Sequence, residues 1–447
     1  MISLGLMETA GFLDATLRGN DARYVGVSTD SRNVLPGSLF VAIEGERFDG
    51  HDFVDAAAGQ GALAALISKA RRFPLPTIEV DDTVAALGKL AGHWRSRFKV
   101  PLTAITGSNG KTTVKEMLAT ILERSHEVLA TKGNLNNEIG APLTLCGIDQ
   151  THEQIIVELG ANHPGEIARL TRMSLPSVGV ITVCAPAHLE GFGSVQGVAR
   201  AKGELFSEMP ADACAVINAD DAFAPLWAEL AGARRKVRFG LHKDADVFGQ
   251  WQPAGSGGAL RIQSPVGRFE ARIAFPGKHN GVNALGAAAA AIAVGASAED
   301  IRLGLESARP VSGRLELKRG PGGAAIIDDT YNANPHSLKA GLEVLADQPE
   351  QRWLVLGDMA ELGSDAARYH EEAGRMAREL GVDRLYTVGE LSRLAAERFG
   401  RHALHFDSQD GLIAALRSEL NGNAAVLVKG SRSMGMERVV AALTAKE

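Results

Sequence analysis

Short apolar runs recur along this chain at intervals that leave room for one helix between each and the next, the spacing expected of strands in a parallel sheet. The run Val100-Pro101-Leu102-Thr103-Ala104-Ile105 predicts a buried strand, and Val114 to Ala119 predicts the opening turns of a helix. Gln154 to Val157, Val178 to Val183 and Ala213 to Asp221 predict further strands with polar ends, and Val198 to Phe206 a covering helix. From about Gly240 to Phe275 the chain is glycine-rich and alternating, which predicts β-hairpins. An alanine-rich helix follows over Ala284 to Ala296, too short to span a bilayer. Near Arg309-Pro310 the pattern resets. Ala324 to Ile327, Trp353 to Leu356, Asp383 to Gly389 and Ala424 to Arg432 each read as a strand running into a polar loop, the scheme of a doubly wound, Rossmann-like unit. At the other end, Ser38 to Ile43 predicts an alternating strand and Asp52 to Ala58 a helix that stops at Gly59-Gln60-Gly61. Three α/β domains are therefore expected, over 1–99, 100–310 and 311–447.

Composition adds bounds. At 447 residues the chain is long enough for about three ordinary cores, and 45% apolar with 22% charged residues describes a globular protein. The net charge of −6 argues against non-specific nucleic-acid binding. Cys146, Cys184 and Cys214 are too far apart for a metal-binding pair and odd in number, so a reducing, cytoplasmic compartment is expected. Met1 to Asn20 lacks the charged start and apolar core of a secretory signal, and neither membrane insertion nor a targeting segment is expected.

The candidate chemistry centres on Thr106-Gly107-Ser108-Asn109-Gly110-Lys111-Thr112-Thr113, set between a predicted strand and a predicted helix. Gly107 and Gly110 let backbone N–H groups converge on an anion at the positive helix end, and Lys111 adds a mobile charge for outer phosphates. Thr112 follows the lysine, where a phosphate loop usually holds Mg²⁺. The ordinary pattern has glycine five positions before Gly110, and here Ile105 stands there, so the loop is a shortened variant. A Gly-Asn turn before a lysine-bearing helix is the plainer alternative. Glu158 and His188 fall at strand ends of the same sheet, where open α/β sheets bind ligands, and with Thr112 they favour a metal site. None of the C-terminal loops carries Gly-x-Gly-x-x-Gly, so a dinucleotide site is not supported. A triphosphate loop leaves kinase or ATPase, motor or switch, and ATP-driven bond formation open.

Thr106 to Thr113, Glu158-Leu159-Gly160, Ala187-His188-Leu189-Glu190-Gly191-Phe192-Gly193, Ala201-Lys202-Gly203-Glu204 and His279-Asn280-Gly281-Val282-Asn283 together resemble the Mur ligase family. Gly133 to Gly140, Asp328 to Pro335, Gly357 to Gly363 and Val428 to Arg432 resemble the branch that extends a muramoyl tripeptide by a dipeptide. The resemblance implies a monomeric cytoplasmic ligase with ATP and Mg²⁺, joining UDP-N-acetylmuramoyl-tripeptide to D-alanyl-D-alanine through an acyl phosphate. It implies ATP contacts at Gly107, Ser108, Asn109, Gly110, Lys111, Thr112, Thr113, Asn280, Asn283, Arg314 and Asp329. Thr112 and Glu158 would hold one Mg²⁺, and Glu158, His188 and Lys202 a second, with Lys202 carbamylated because an ammonium cannot ligate a cation. Lys111, Glu158, His188 and Lys202 are the expected catalytic set. Substrate contacts are expected at Ser31, Asn137, Asn332 and Asn334, with Pro335 shaping the dipeptide pocket. On residues alone, Asp30-Ser31-Arg32 is a turn with a solvated charge pair, Asn280 and Asn283 are helix caps, and Asn332 to Pro335 is a polar turn. A sister ligase adding a diamino acid is the nearest rival; its usual Asp-Asn-Pro-Arg string is absent here. A folate polyglutamate ligase shares the phosphate loop, and a regulatory ATPase would hydrolyse ATP without peptide substrates.

Overall fold

The structure is a computed structural model that describes residues 1–444. Its largest sheet has nine strands in the order Gly267–Ile273, Gly257–Ser264, Val247–Ala254, Arg235–Gly240, Cys214–Asn218, Val178–Ile181, Leu102–Thr106, Gln154–Glu158, Val128–Ala130. Pairing is parallel from Val128–Ala130 across to Val247–Ala254, and the last three strands form an antiparallel meander. Leu102–Thr106 lies between Val178–Ile181 and Gln154–Glu158 and is buried at all five positions, which is why its sequence carries no charge and shows no strict polar–apolar alternation. Separate apolar clusters coat the two faces. Helix Lys278–Ala293 lies on one of them, and its alanines let it approach the sheet and helix Lys111–Leu122 closely.

The first body is built on a five-stranded sheet whose inner strands are parallel. Leu39–Val41, expected as part of an alternating strand, is instead buried on both faces because it sits between Val27–Ser28 and Ala64–Ile67 with helices over it; even Ser38 is enclosed. Helix Thr83–Arg95, capped by Asp82, joins this body to the large sheet. Trp94 Nε1 donates to Ile148 O at 2.9 Å, and the buried Arg95 guanidinium donates to the carbonyls of Ser174, Phe98 and Val100 at 2.6–3.0 Å.

The third body has a six-stranded sheet ordered Glu316–Arg319, Ala325–Asp329, Ala424–Lys429, Gln351–Gly357, Arg384–Val388, Ala403–Phe406. Five strands are parallel, with apolar clusters on both faces, so the doubly wound expectation holds. Two strands were not expected. Glu316–Arg319 is an antiparallel edge strand of charged residues, and Ala403–Phe406 is a short parallel edge. Among the described residues, no helix is long and apolar enough to cross a membrane.

Candidate active site

The phosphate loop is fixed by contacts that its sequence requires. Gly107 (φ 146°) and Gly110 (φ 82°) occupy the left-handed region, and a Cβ at either would collide, with Thr182 Oγ1 and Asn283 Oδ1 respectively. Thr182 Oγ1 donates to Asn109 O at 2.6 Å, Ser108 N to Val183 O at 2.8 Å and Ser108 Oγ to Ala185 O at 3.1 Å. The helix starts at Lys111, so the N–H groups of the loop's end face an anion site at its positive pole. Lys111 Nζ folds back to Gly107 O at 2.7 Å; burial pushes its pKa down while Glu158 opposes the shift.

Glu158 is enclosed at the end of its strand. It accepts from Thr112 Oγ1 at 2.8 Å and from Asn136 Nδ2 at 2.7 Å, and its own N–H donates to Thr131 Oγ1 at 3.0 Å. Asn136 was not singled out in the sequence; the Asn-Leu-Asn-Asn run that holds it was the only signal. A hydroxyl and a carboxylate at this distance form an oxygen donor set that suits a hard divalent cation such as Mg²⁺. Among the described residues no three His, Cys, Asp or Glu side chains cluster tightly enough to hold a metal by themselves. His188 lines the same cavity as Glu158, but its Nδ1 lies 2.5 Å from Glu361 Oε2. The pairing holds the Glu361 carboxyl below its ordinary range. Lys202 is fully buried behind Ala161, whose carbonyl is 3.4 Å from Nζ, and stands 5.3 Å from the centre of the Phe192 ring. Burial with the nearby Lys111 charge pushes its pKa down to about 7.

Two adjoining cavities meet at this loop. One, about 640 Å³, is lined by Lys111, Thr112, Asn137, Glu158, His188, Glu361 and Arg432 among others. Asn137 Oδ1 accepts from the N–H groups of Ile139 and Gly140 at 3.2 and 2.9 Å, securing the start of the next helix. The other, about 300 Å³, lies between Gly110, Thr113, Asn280, Asn283 and the loops of the third sheet. Asn280 and Asn283 share one helix face, as expected, with Asn283 Nδ2 donating to Asn280 Oδ1 at 3.0 Å. Neither caps the helix: Gly277 is the cap residue, and Asn280 Nδ2 donates to Pro276 O at 2.7 Å. The neighbouring His279 is half-buried, its Nδ1 enclosed and unpartnered, and desolvation pushes its pKa down to about 4.

From the third body, Arg314 lines both cavities, its guanidinium 4.0 Å from the centre of the Tyr331 ring and its buried Nε without a partner. Asp329 is paired with buried Lys429, Oδ2 to Nζ 2.5 Å, and Lys429 also donates to Asn332 O at 2.9 Å. Asn332 Oδ1 accepts from Ala333 N. Asn334 caps helix Pro335–Ala346 in a capping box with Ser337, so the polar turn is a helix start. It also exchanges amide hydrogen bonds with Asn109 of the phosphate loop, at 2.9 and 3.3 Å, with His336 Nδ1 3.3 Å away. Ser31 lines neither cavity. Arg32 grips Asp30 through two hydrogen bonds of 2.9 and 2.8 Å, holding that carboxyl down to about 2, so the turn is a charge pair as read.

Three family models match this chain: "Mur ligase family, catalytic domain" over residues 23–95, "Mur ligase middle domain" over 105–291 and "Mur ligase, glutamate ligase domain" over 313–432. The chain is 41% identical over 447 residues to the UDP-N-acetylmuramoyl-tripeptide--D-alanyl-D-alanine ligase of Escherichia coli (strain K12), covering 99% of each. It is similar to a crystal structure of MurF from Acinetobacter baumannii, with TM-score 0.92, 34% identity and 98% of each chain covered. It is also similar to MurF ligase from Thermotoga maritima in complex with ADP, with TM-score 0.83, 28% identity and coverage of 94% and 97%.

Proposed function

Because the chain belongs to the Mur ligase family, we infer that its two joined cavities serve one ATP-driven amide ligation. The protein joins D-alanyl-D-alanine to UDP-N-acetylmuramoyl-tripeptide, with ATP and Mg²⁺, in peptidoglycan precursor synthesis. The observation that carries this reading is the shared cavity, where a phosphate loop and the loops of a second α/β body face one space. A carboxylate is a poor acylating agent in water. Its oxygen attacks the γ-phosphorus of ATP, the bond from that phosphorus to the bridging oxygen breaks, and ADP leaves. The dipeptide's amine, once its ammonium has lost a proton, then attacks the acyl carbon. The C–O bond to phosphate breaks, inorganic phosphate departs with the electron pair, and the nitrogen's surplus proton goes to solvent.

The residue roles in this reading are as follows. The N–H groups of 107–113 take the phosphates, Lys111 swings from Gly107 O to the outer phosphate, and Asn280 and Asn283 take the base in the smaller cavity. Thr112 and Glu158 would hold one Mg²⁺. With Glu158, His188 and Lys202 would hold a second ion, Lys202 as a carbamate that supplies the oxygen donor its ammonium cannot. Bound magnesium offsets charge on the moving phosphoryl group. Arg314 stacks beside the nucleotide, and the Lys429-paired Asp329 orients its loop there. Asn332, Asn334 and Asn137 shape the peptide side, while 1–99, with Ser31, takes the UDP-sugar, 100–310 the nucleotide and 311–447 the dipeptide. The enzyme acts as a cytoplasmic monomer that binds no nucleic acid.

Phosphate release should require both the nucleotide-linked tripeptide and D-alanyl-D-alanine, and the product should carry two further alanines by mass spectrometry. Release with ATP alone would favour a regulatory ATPase, and product with a diamino acid in place of the dipeptide would favour the sister ligase. Gly110→Ala should weaken ATP binding about tenfold or more by calorimetry, because the methyl enters the Asn283 amide and φ 82° is unfavourable for alanine.

A further inference from the structure

Two of the chain's non-glycine residues with left-handed backbone face each other across the domain boundary: His188 (φ 52°) and Glu361 (φ 62°). Such conformations are unfavourable for non-glycine residues and persist where surrounding structure enforces them. The loop bearing Glu361 is held from several directions. Met359 N donates to buried His370 Nε2 at 3.0 Å, while Ala360 N donates to Ser431 Oγ at 2.6 Å. Asp358 accepts from Ser431 N through its carbonyl at 2.9 Å and from Ser392 N through Oδ1 at 2.7 Å. Met359 and Leu362 anchor the loop in the third body's core, while Glu361 between them points outward with its side chain half exposed. What the arrangement achieves is to fix one carboxylate in the wall of the cavity that also holds Lys111, Thr112 and Glu158.

We propose that Glu361 is the acceptor-binding carboxylate, taking the α-ammonium of the incoming dipeptide in the place that the His188 ring now fills. This rests on the ligase reading above. The acceptor is a zwitterion at neutral pH, and a cavity built around a triphosphate loop must collect its cationic end without drawing that end onto the phosphates. Glu361 is supplied by the third body to the cavity that the phosphate loop also lines. Its current neighbour is the His188 ring, whose Nδ1 lies 2.5 Å from Glu361 Oε2, and an alkylammonium offers that carboxylate a cationic partner in the same position. On the adjoining strand end Arg432, exposed and paired with Glu437 at 3.1 Å, offers a cation for the far carboxylate. Glu361 is thereby a binding residue for the nucleophile and is not asked to take its proton.

Steady-state kinetics of Glu361→Gln test the assignment. The KM for D-alanyl-D-alanine should rise roughly 10- to 100-fold, as loss of a charge-assisted hydrogen bond predicts, with kcat and the KM for ATP changed little. N-acetyl-D-alanyl-D-alanine, which lacks the ammonium, should inhibit wild type far more weakly than a charged, non-reacting dipeptide analogue, and Glu361→Gln should bring the two together. A fall in kcat at unchanged dipeptide KM, or discrimination between the analogues that survives the substitution, would overturn the proposal. Wild-type enzyme that forms no product with D-alanyl-D-alanine would instead overturn the ligase reading.

Discussion

Lys202→Ala should reduce amide ligation by roughly 10³-fold or more while ATP affinity stays within about threefold of wild type. The side chain is fully buried, no carboxylate pairs with it among the described residues, and its nearest polar contact is a single long one to Ala161 O. A buried lysine with so little compensation is expensive unless it is neutral or modified. With its pKa pushed down to about 7, a large share of the amine is uncharged at neutral pH, the form that adds to carbon dioxide. The shift also fixes the sign of its effect on stability. The unfolded lysine titrates near its ordinary 10.5 and so holds more protons than the folded one between about 7 and 10.5, and the unmodified residue destabilises the fold most at the acid end of that window. Acetate or a similar short acid should restore part of the lost turnover in the alanine variant by supplying the missing oxygen donor. Nucleotide binding is checked by calorimetry and ligation by product mass. Full unaided turnover would remove the carbamate from the site.

A second large effect is expected from Lys429→Met, this time on stability. Its ammonium is 1% exposed and neutralises Asp329, whose side chain is 13% exposed, while closing on the Asn332 carbonyl. Methionine fills much of the volume but leaves a mostly buried carboxylate unpaired, a loss of about 3–5 kcal/mol. Urea unfolding followed by a probe confined to the third body checks this, since a chain of three bodies need not unfold in one step. Asp329→Asn combined with Lys429→Met should recover a good part of the loss, because no charge is then stranded. A single variant within about 1 kcal/mol of wild type would show that the pair is solvated in solution.

The sheets and the phosphate loop were legible because their signals are local. Leu102–Thr106 is buried on both faces and carries no charged residue, and the glycines after it answer a steric demand made by Thr182 and Asn283. Ser38 to Ile43 misled for the same reason in reverse: Ser38 and Phe40 look like alternation, yet both are enclosed by neighbouring elements. The edge strand Glu316–Arg319 left no apolar trace because half of it faces water. Resemblance named Asn334 and Asn332 but not the bonds they make. The amide exchange between Asn109 and Asn334 spans 225 positions, and the meeting of His188 with Glu361 depends on how two bodies dock; neither has a periodicity to read. Asn136 shows the same limit, since only the fold reveals which asparagine of its run reaches Glu158.

The two seams of the molecule differ in kind. Between the first body and the large sheet run an indole and an enclosed guanidinium, each satisfying main-chain oxygens that would otherwise be stranded. Between the large sheet and the third body, an exchange of side-chain amides and one half-exposed ion pair do much of the fastening, and water can replace both at small cost. The second seam is therefore the less costly of the two to open, and hydrogen exchange should report faster opening at the Asn109–Asn334 contact than at Trp94 and Arg95.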